Sequence, residues 1–191
     1  AAQTTANRGV GDIDMIIMHT SEGDPTSSYG PADWFQDPES NASAHYNIYG
    51  TGTIYQSVSD KDIAWHAGNS AVNKRSIGIE IQAKAARGDW NELQLAQAAR
   101  LVASLAEKYN IPLDRDHIKG HVEVSGPGGH TDPGPHWDWD DFMDRVRSQS
   151  NNPVRKLQEI AISWGPWVGA SVLSLWGLWL VKTVVKRKRS R

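Results

Sequence analysis

The stretch Ser76-Ile77-Gly78-Ile79-Glu80-Ile81-Gln82 alternates isoleucine with small or polar residues over seven positions. A period of two is the mark of a β-strand with different neighbours on its two faces. A second run, Asp14-Met15-Ile16-Ile17-Met18, reads as a buried strand ending at His19. Residues 45–49 and 53–58 read as two further strands, with Gly50-Thr51-Gly52 as their turn. Residues 117–122 give a weaker strand signal. Helical periods fall between these runs. Leu95, Ala99, Val102, Ala106 and Tyr109 predict a helix from about 91 to 109. Asn91 and Gln94 form its capping box, and Asn110 followed by Pro112 marks its stop. A second helix fits 138–148, with Trp139, Phe142, Met143 and Val146 facing inward, and Pro31 starts a short helix carrying Trp34 and Phe35. No internal repeat is visible. Alternating strands and helices predict a layered α/β domain.

Charge divides the chain in two. Residues 1–150 hold 12 Lys+Arg against 21 Asp+Glu, whereas residues 151–191 hold 8 against 1, which together give the net −2 of the 191 residues. The acidic body excludes nucleic-acid binding through its net field. There is no cysteine, so disulfides, thiolate metal sites and cysteine nucleophiles are excluded. The first residue is Ala1, as removal of a signal peptide after a small residue would leave, and as a trimmed start would leave equally. Residues 1–11 are polar and are expected to form a flexible N-terminal arm ahead of a domain at 12–148. Residues 149–159 read as a linker. Residues 160–181 carry no charged side chain over 22 positions. At 1.5 Å per residue they reach roughly 33 Å, enough for a hydrocarbon core of about 30 Å. Trp164, Trp167, Trp176 and Trp179 sit toward the two ends, as interfacial aromatics do. Only Ser163, Ser171 and Ser174 interrupt the run, so it lacks the polar face of a surface-lying helix, and a transmembrane helix in the lipid bilayer is the expectation. The basic tail at 182–191 then stays cytoplasmic and places residues 1–158 outside. Gly165 and Gly169 form a GxxxG pair that suits a weak helix dimer.

The chain has seven histidines. His19 follows an apolar strand, a rigid mount for a ligand. His121 ends another strand candidate. Asp132 comes eleven positions later, after Ser125-Gly126-Pro127-Gly128-Gly129, a stretch that can only be a loop and can return the carboxylate beside the histidine. Two imidazoles and one carboxylate with an open fourth position are a standard ligand set for a hydrolytic zinc. On spacing alone, His130 can replace either His121 or Asp132 in that set.

His19-Thr20, Ser43-Ala44-His45-Tyr46, Trp65-His66-Ala67-Gly68, Ser76-Ile77-Gly78-Ile79-Glu80, Gly120-His121 and His130-Thr131-Asp132-Pro133-Gly134-Pro135 resemble, in order, the type-2 N-acetylmuramoyl-L-alanine amidases. That family shares its fold with the peptidoglycan recognition proteins. The resemblance covers roughly residues 12–147 and implies a mixed central β-sheet flanked by helices. It implies hydrolysis of the amide between N-acetylmuramic acid and the L-alanine of the stem peptide, with peptidoglycan or muropeptides as partner. It also implies one zinc ion held by His19, His121 and Asp132, with Glu80 as general base. His130 stands where many members carry lysine, which points to oxyanion stabilisation or proton transfer to the leaving amine. The segment from His121 to Asp132 is about one residue longer than in similar sequences. Trp65, His66 and Asn69 match the substrate groove. His45 and Tyr46 are expected at the site floor or in the core, and His117 and His136 at structural or surface positions. Two other readings compete: a non-catalytic peptidoglycan-binding module of the same fold, and a phage lysin with a membrane-active tail acting at the cell wall.

Overall fold

In a computed structural model, residues 4–5, 8–126 and 129–150 are described. The predicted linker, transmembrane helix, Gly165–Gly169 pair and basic tail lie outside these residues. Among the described residues, no helix is long and apolar enough to cross a membrane.

The elements in chain order are β1 (Thr4–Thr5), β2 (Met15–Thr20), α1 (Pro31–Trp34), β3 (Tyr46–Ile48), β4 (Ile54–Gln56), β5 (Ile63–Ala64), α2 (Ser70–Arg75), β6 (Ser76–Ile81), α3 (Glu92–Tyr109), β7 (Ile118–Gly120) and α4 (Trp139–Ser150). Five strands form one sheet in the order β4-β3-β6-β2-β7. The pairs β3–β6, β6–β2 and β2–β7 are parallel, and the hairpin β3–β4 is antiparallel. The sheet is therefore mixed, as the family resemblance implied.

The isoleucine alternation sets the two faces of the sheet. On one face, Ile77, Ile79 and Ile81 of β6 share a fully buried cluster with Ile16 and Met18 of β2, Ile48 of β3 and Ile118 of β7. Helix α3 covers them with Ala98, Ala99, Val102, Ala103, Leu105 and Ala106, and α4 adds Phe142, Met143 and Val146. Asn91 caps α3 and closes the capping box with Gln94, while Asn110 ends it in the left-handed conformation. On the other face of β6 stand Ser76, Gly78 and Glu80. All six residues of β6 are buried, so both faces are covered.

Several boundaries differ from the sequence reading. Strand β2 continues through His19 and Thr20, since β6 pairs with it as far as Thr20↔Ile81. Strand β7 stops at Gly120, and His121 opens a 3-10 turn. Helix α1 is a single turn, with Phe35 as its C-cap. Among the described residues of the amino-terminal arm, Thr4 and Thr5 pair with Ala64 and Ile63. Arg8 is buried, and hydrogen bonds to carbonyls offset the cost of burying its charge. Its guanidinium donates to the carbonyls of Asn73 and Ser76 and, through Nε, to that of Asp60 at 2.9 Å. The first two lie at the C-terminal end of α2, where the last carbonyls lack helical partners and a cation is favoured. Arg8 Nη2 also lies 2.8 Å from His45 Nε2, and burial together with this cation pushes His45 down to about 3.

Arg8→Ala is expected to lower unfolding stability by on the order of 2–3 kcal/mol, because it strands buried carbonyls. Urea unfolding measures this, and a change below about 0.5 kcal/mol, the usual scale of surface substitutions, would mean that the arm is loose after all.

Candidate active site

The polar side chains of the site form a row across four adjacent strands. Parallel pairing sets His19 of β2 beside Glu80 of β6, and Glu80 beside Asn47 of β3. Met18 pairs with Gly120 of β7, so the next residue, His121, continues the row at its other end. The fold thus brings His19, Glu80 and His121 to one edge of one face, although 102 positions separate the two histidines.

Asp132 arrives from the loop. The Val122 N–H donates to the Asp132 carbonyl at 3.0 Å, which ties the returning loop to the turn that carries His121. Asp132 Oδ2 lies 3.2 Å from His19 Nδ1, and Oδ1 lies 3.2 Å from His121 Nδ1. All three residues are buried, and one ligand atom from each lies within 4.8 Å of the others. Burial favours the neutral form of Asp132, but the imidazole nitrogens facing its oxygens outweigh that and hold the carboxyl well below the usual range. Burial also lowers His19, against the pull of Asp132. Two imidazoles and an ionised carboxylate converging on one point can offer a set of electron-pair donors. The chemistry of that set fits a divalent cation.

Glu80 is buried, and its Oε2 has no hydrogen-bond partner. Burial, with the charges of Asp132 and Glu22 added, raises its carboxyl well above the ordinary 4.5. A carboxyl of raised pKa beside a cation site is the pattern expected of an acid–base group. The His130 ring stacks on that of His121 at 4.0 Å between centroids, and Nδ1 lies 3.7 Å from Asp132 Oδ1. Its side chain is 63% exposed, so it stands on the solvent side of the three donors.

The three residues expected in a substrate groove fare differently. Trp65 is 39% exposed and faces a hollow of about 320 Å³ shared with Ile63, Gly68 and Lys74. Its Nε1 donates to Thr5 Oγ1. His66 is buried behind His19, its Nδ1 3.0 Å from His19 Nε2, and does not face a groove. Gly78 explains this, because its missing side chain leaves room for the imidazole against the sheet. Asn69 caps α2, its Oδ1 accepting from the N–H groups of Ala71 and Val72, so that oxygen is committed to the helix. His45 is fully buried and accepts from the Gly78 N–H. Tyr46 donates to Asp60 beneath the sheet. His117 pairs with Asp114, and His136 is exposed.

Two residues near the reacting groups were missed in the sequence. Asn47 adjoins Glu80 and leaves Oδ1 buried without a partner. Its place in the alternating run 45–48 was the available signal. Glu22 accepts from the Ala85 N–H and adds its charge to the field at Glu80. It sits in an irregular loop at φ 56°, where no periodicity points to it.

The family model described as N-acetylmuramoyl-L-alanine amidase matches residues 9–135. The chain is similar to N-acetylmuramoyl-L-alanine amidase A of Achromobacter lyticus, with 33% identity over 156 residues, covering 72% of this chain and 85% of that protein. It is also similar to 1,6-anhydro-N-acetylmuramyl-L-alanine amidase AmpD of Haemophilus influenzae, 29% identical over 71% of this chain and 84% of that one. Among solved structures it resembles a selenomethionine derivative of AmpD, with a TM-score of 0.59 and 27% identity over 76% of this chain and 89% of the other.

A raised carboxyl pKa fixes the sign of a pH effect. The folded protein holds Glu80 neutral at pH values where the unfolded chain ionises it, so this group's contribution to stability is lost as pH rises above 4.5 toward the folded value. With chelator present, Glu80→Gln is expected to be more resistant to urea than the parent protein at pH 8. That advantage should shrink to nothing below the unfolded value. A difference that stays constant with pH would rule out the raised pKa.

Proposed function

Since the chain belongs to the N-acetylmuramoyl-L-alanine amidase family, we propose that His19, His121 and Asp132 hold one zinc ion at the reacting centre. The protein is a peptidoglycan hydrolase that cleaves the amide between N-acetylmuramic acid and the L-alanine of the stem peptide. The convergence of three buried donors within 4.8 Å supports the metal most directly. The nitrogen and oxygen donors of these three residues suit zinc. Zinc in such a site lowers the pKa of water to about 7 and polarises the carbonyl to be attacked.

The chain's own residues carry the proton chemistry. Glu80 Oε2, buried and unpartnered, takes the proton of the attacking water. The water oxygen adds to the lactyl carbonyl carbon, the carbon–nitrogen bond breaks, and the alanine nitrogen leaves as a free amine after gaining a proton. His130 stands at the exposed side of the centre, where it stabilises the developing oxyanion or delivers that proton. Trp65, with its apolar face at the hollow, is assigned to the substrate wall. His66 and Asn69 are not assigned to substrate contact, because one is buried behind a ligand and the other caps a helix.

A complete donor set with a buried carboxyl beside it favours hydrolysis over a binding-only module. Mass spectrometry of muropeptides incubated with the protein, with and without chelator, tests this. Free stem peptide should appear only with the metal, and its absence from zinc-loaded protein would defeat the hydrolase reading. Glu80→Gln should retain zinc and lose turnover by about 10²–10⁴-fold, the usual contribution of a general base. His19→Ala and Asp132→Ala should lose zinc as well, as metal analysis would show.

Residues 160–181 are assigned to a membrane span, on their charge-free length and flanking basic residues. The catalytic domain then lies outside the membrane and acts on the wall from an anchored position. After a carbonate wash the full chain should stay in the membrane fraction. Release into the soluble fraction would instead favour a lysin whose tail only touches the bilayer.

A further inference from the structure

The side chains behind His19 form a single line in which each proton is dictated by the one before. Ser76 Oγ lies 2.7 Å from the Val72 carbonyl oxygen, which can only accept, so the one hydroxyl proton is committed there. Toward His66 Nε2, 3.1 Å away, the serine oxygen is therefore an acceptor, and Nε2 must donate. A neutral imidazole has one N–H and one lone pair, so His66 Nδ1 is left as an acceptor. It lies 3.0 Å from His19 Nε2, which must in turn donate. The other nitrogen of His19, Nδ1, then keeps its lone pair 3.2 Å from an Asp132 oxygen that can also only accept, an arrangement that a cation shared by the two would favour.

We propose that Ser76 and His66 are positioning residues that set the tautomer of His19, so that Nδ1 is presented to the metal. This rests on the zinc reading above. The outer nitrogen of a ligating histidine generally donates to a carboxylate, a carbonyl or water. Here a second imidazole takes that place and passes the constraint back to a backbone carbonyl of α2.

Local structure builds the line. Ser76 ends α2 and begins β6, which puts its hydroxyl one helical turn from Val72. Gly78 clears the space for the ring, since a Cβ there would come within 2.5 Å of His66 Cγ. Asn73 Oδ1 accepts from the Ala67 N–H at 2.9 Å and fixes the segment that follows His66. Ser76 is fully buried and His66 is 7% exposed, so solvent does not compete for these bonds. The second imidazole ligand has no such support: His121 Nε2 is buried without a partner. The tautomer control is confined to His19.

Two measurements test the proposal. Nitrogen-15 shifts of the imidazole side chains read the tautomer directly in zinc-loaded protein, where His66 is expected to carry its proton on Nε2. Zinc affinity is measured by competition with a chelator. His66→Phe keeps a ring against Gly78 but removes both nitrogens, and should weaken zinc binding about 10–100-fold, as loss of an outer-shell partner does. Ser76→Ala should weaken it by a smaller factor and spread the His66 proton over both nitrogens. Thermal unfolding in chelator identifies any variant that fails to fold, and the tautomer measurement on the parent protein does not depend on the variants. A parent His66 protonated on Nδ1, or folded variants that both bind zinc within twofold of the parent, would overturn the line. Zinc content of the parent is a separate readout, so the line can fail while the zinc reading stands.

Discussion

The parallel pairing of β2 with β6, in the register that sets His19 beside Glu80, is the constraint from which the site follows. Side chains alternate between the two faces of a strand, so a slip of one residue would turn Glu80 into the apolar layer and an isoleucine into the site. The opposite face prevents the slip. Ile77, Ile79 and Ile81 are fully buried against α3, and each such side chain contributes about 1.5–3 kcal/mol by burial. Moving all three out of the core would cost more than any single polar contact on the site face could return. The register is thus decided by residues that take no part in the chemistry, and the site face is free to hold groups chosen for reactivity.

Those groups are destabilising by themselves. Asn47 Oδ1, Glu80 Oε2 and His121 Nε2 are buried without partners, at about 1–3 kcal/mol for each such group. They lie along one row, not scattered through the core. Three of the four buried unpartnered side-chain atoms among the described residues therefore belong to the site or its edge. The rest of the domain is well satisfied by comparison. Asp60, also buried, receives hydrogen bonds from Tyr46, Lys108 and Tyr109. The contrast between the Asp60 hub and the Glu80 row separates a carboxylate held ionised from one whose ionisation is opposed: burial acts on both, but only Asp60 has the donors that keep it ionised.

How much of this was legible depended on the range of the signal. Helix α3 was readable to its caps, because Asn91, Gln94 and Asn110 act within one turn of the backbone they satisfy. The central strand was readable because its alternation is intrinsic to the pleat. The gathering of His19, His121, Glu80 and Asp132 was suggested by motif order, but their placement comes from strand register, which no local pattern encodes. The structural settings of His66 and Asn69 were not legible, for different reasons. Asn69 precedes a helix of only six residues, too short to show a period, so its capping role passed unnoticed. His66 sits in an ordinary Trp-His-Ala-Gly stretch, and its burial depends on Gly78, twelve positions away, having no side chain. Arg8 misled in the same way, since an arm that looks polar in sequence is held by carbonyls that only the finished fold collects.

The electrostatics of the row explain why its parts belong together. Asp132, Glu80 and Glu22 bring carboxyl groups into mutual influence inside a body that is already acidic. Without a positive charge nearby, the arrangement responds by keeping Glu80 neutral, a form that cannot accept a proton. A cation at His19, His121 and Asp132 would reverse that preference, since an opposite charge within a few ångströms favours the ionised carboxyl. The acid–base group and the ligand set are therefore not two sites that happen to adjoin. On the proposed reading, Glu80 would become a competent base only when the neighbouring donors are filled, which would tie its reactivity to the occupancy of that centre. Metal binding there would stabilise the fold that creates the site, and so would offset part of the destabilisation that the unpartnered row imposes.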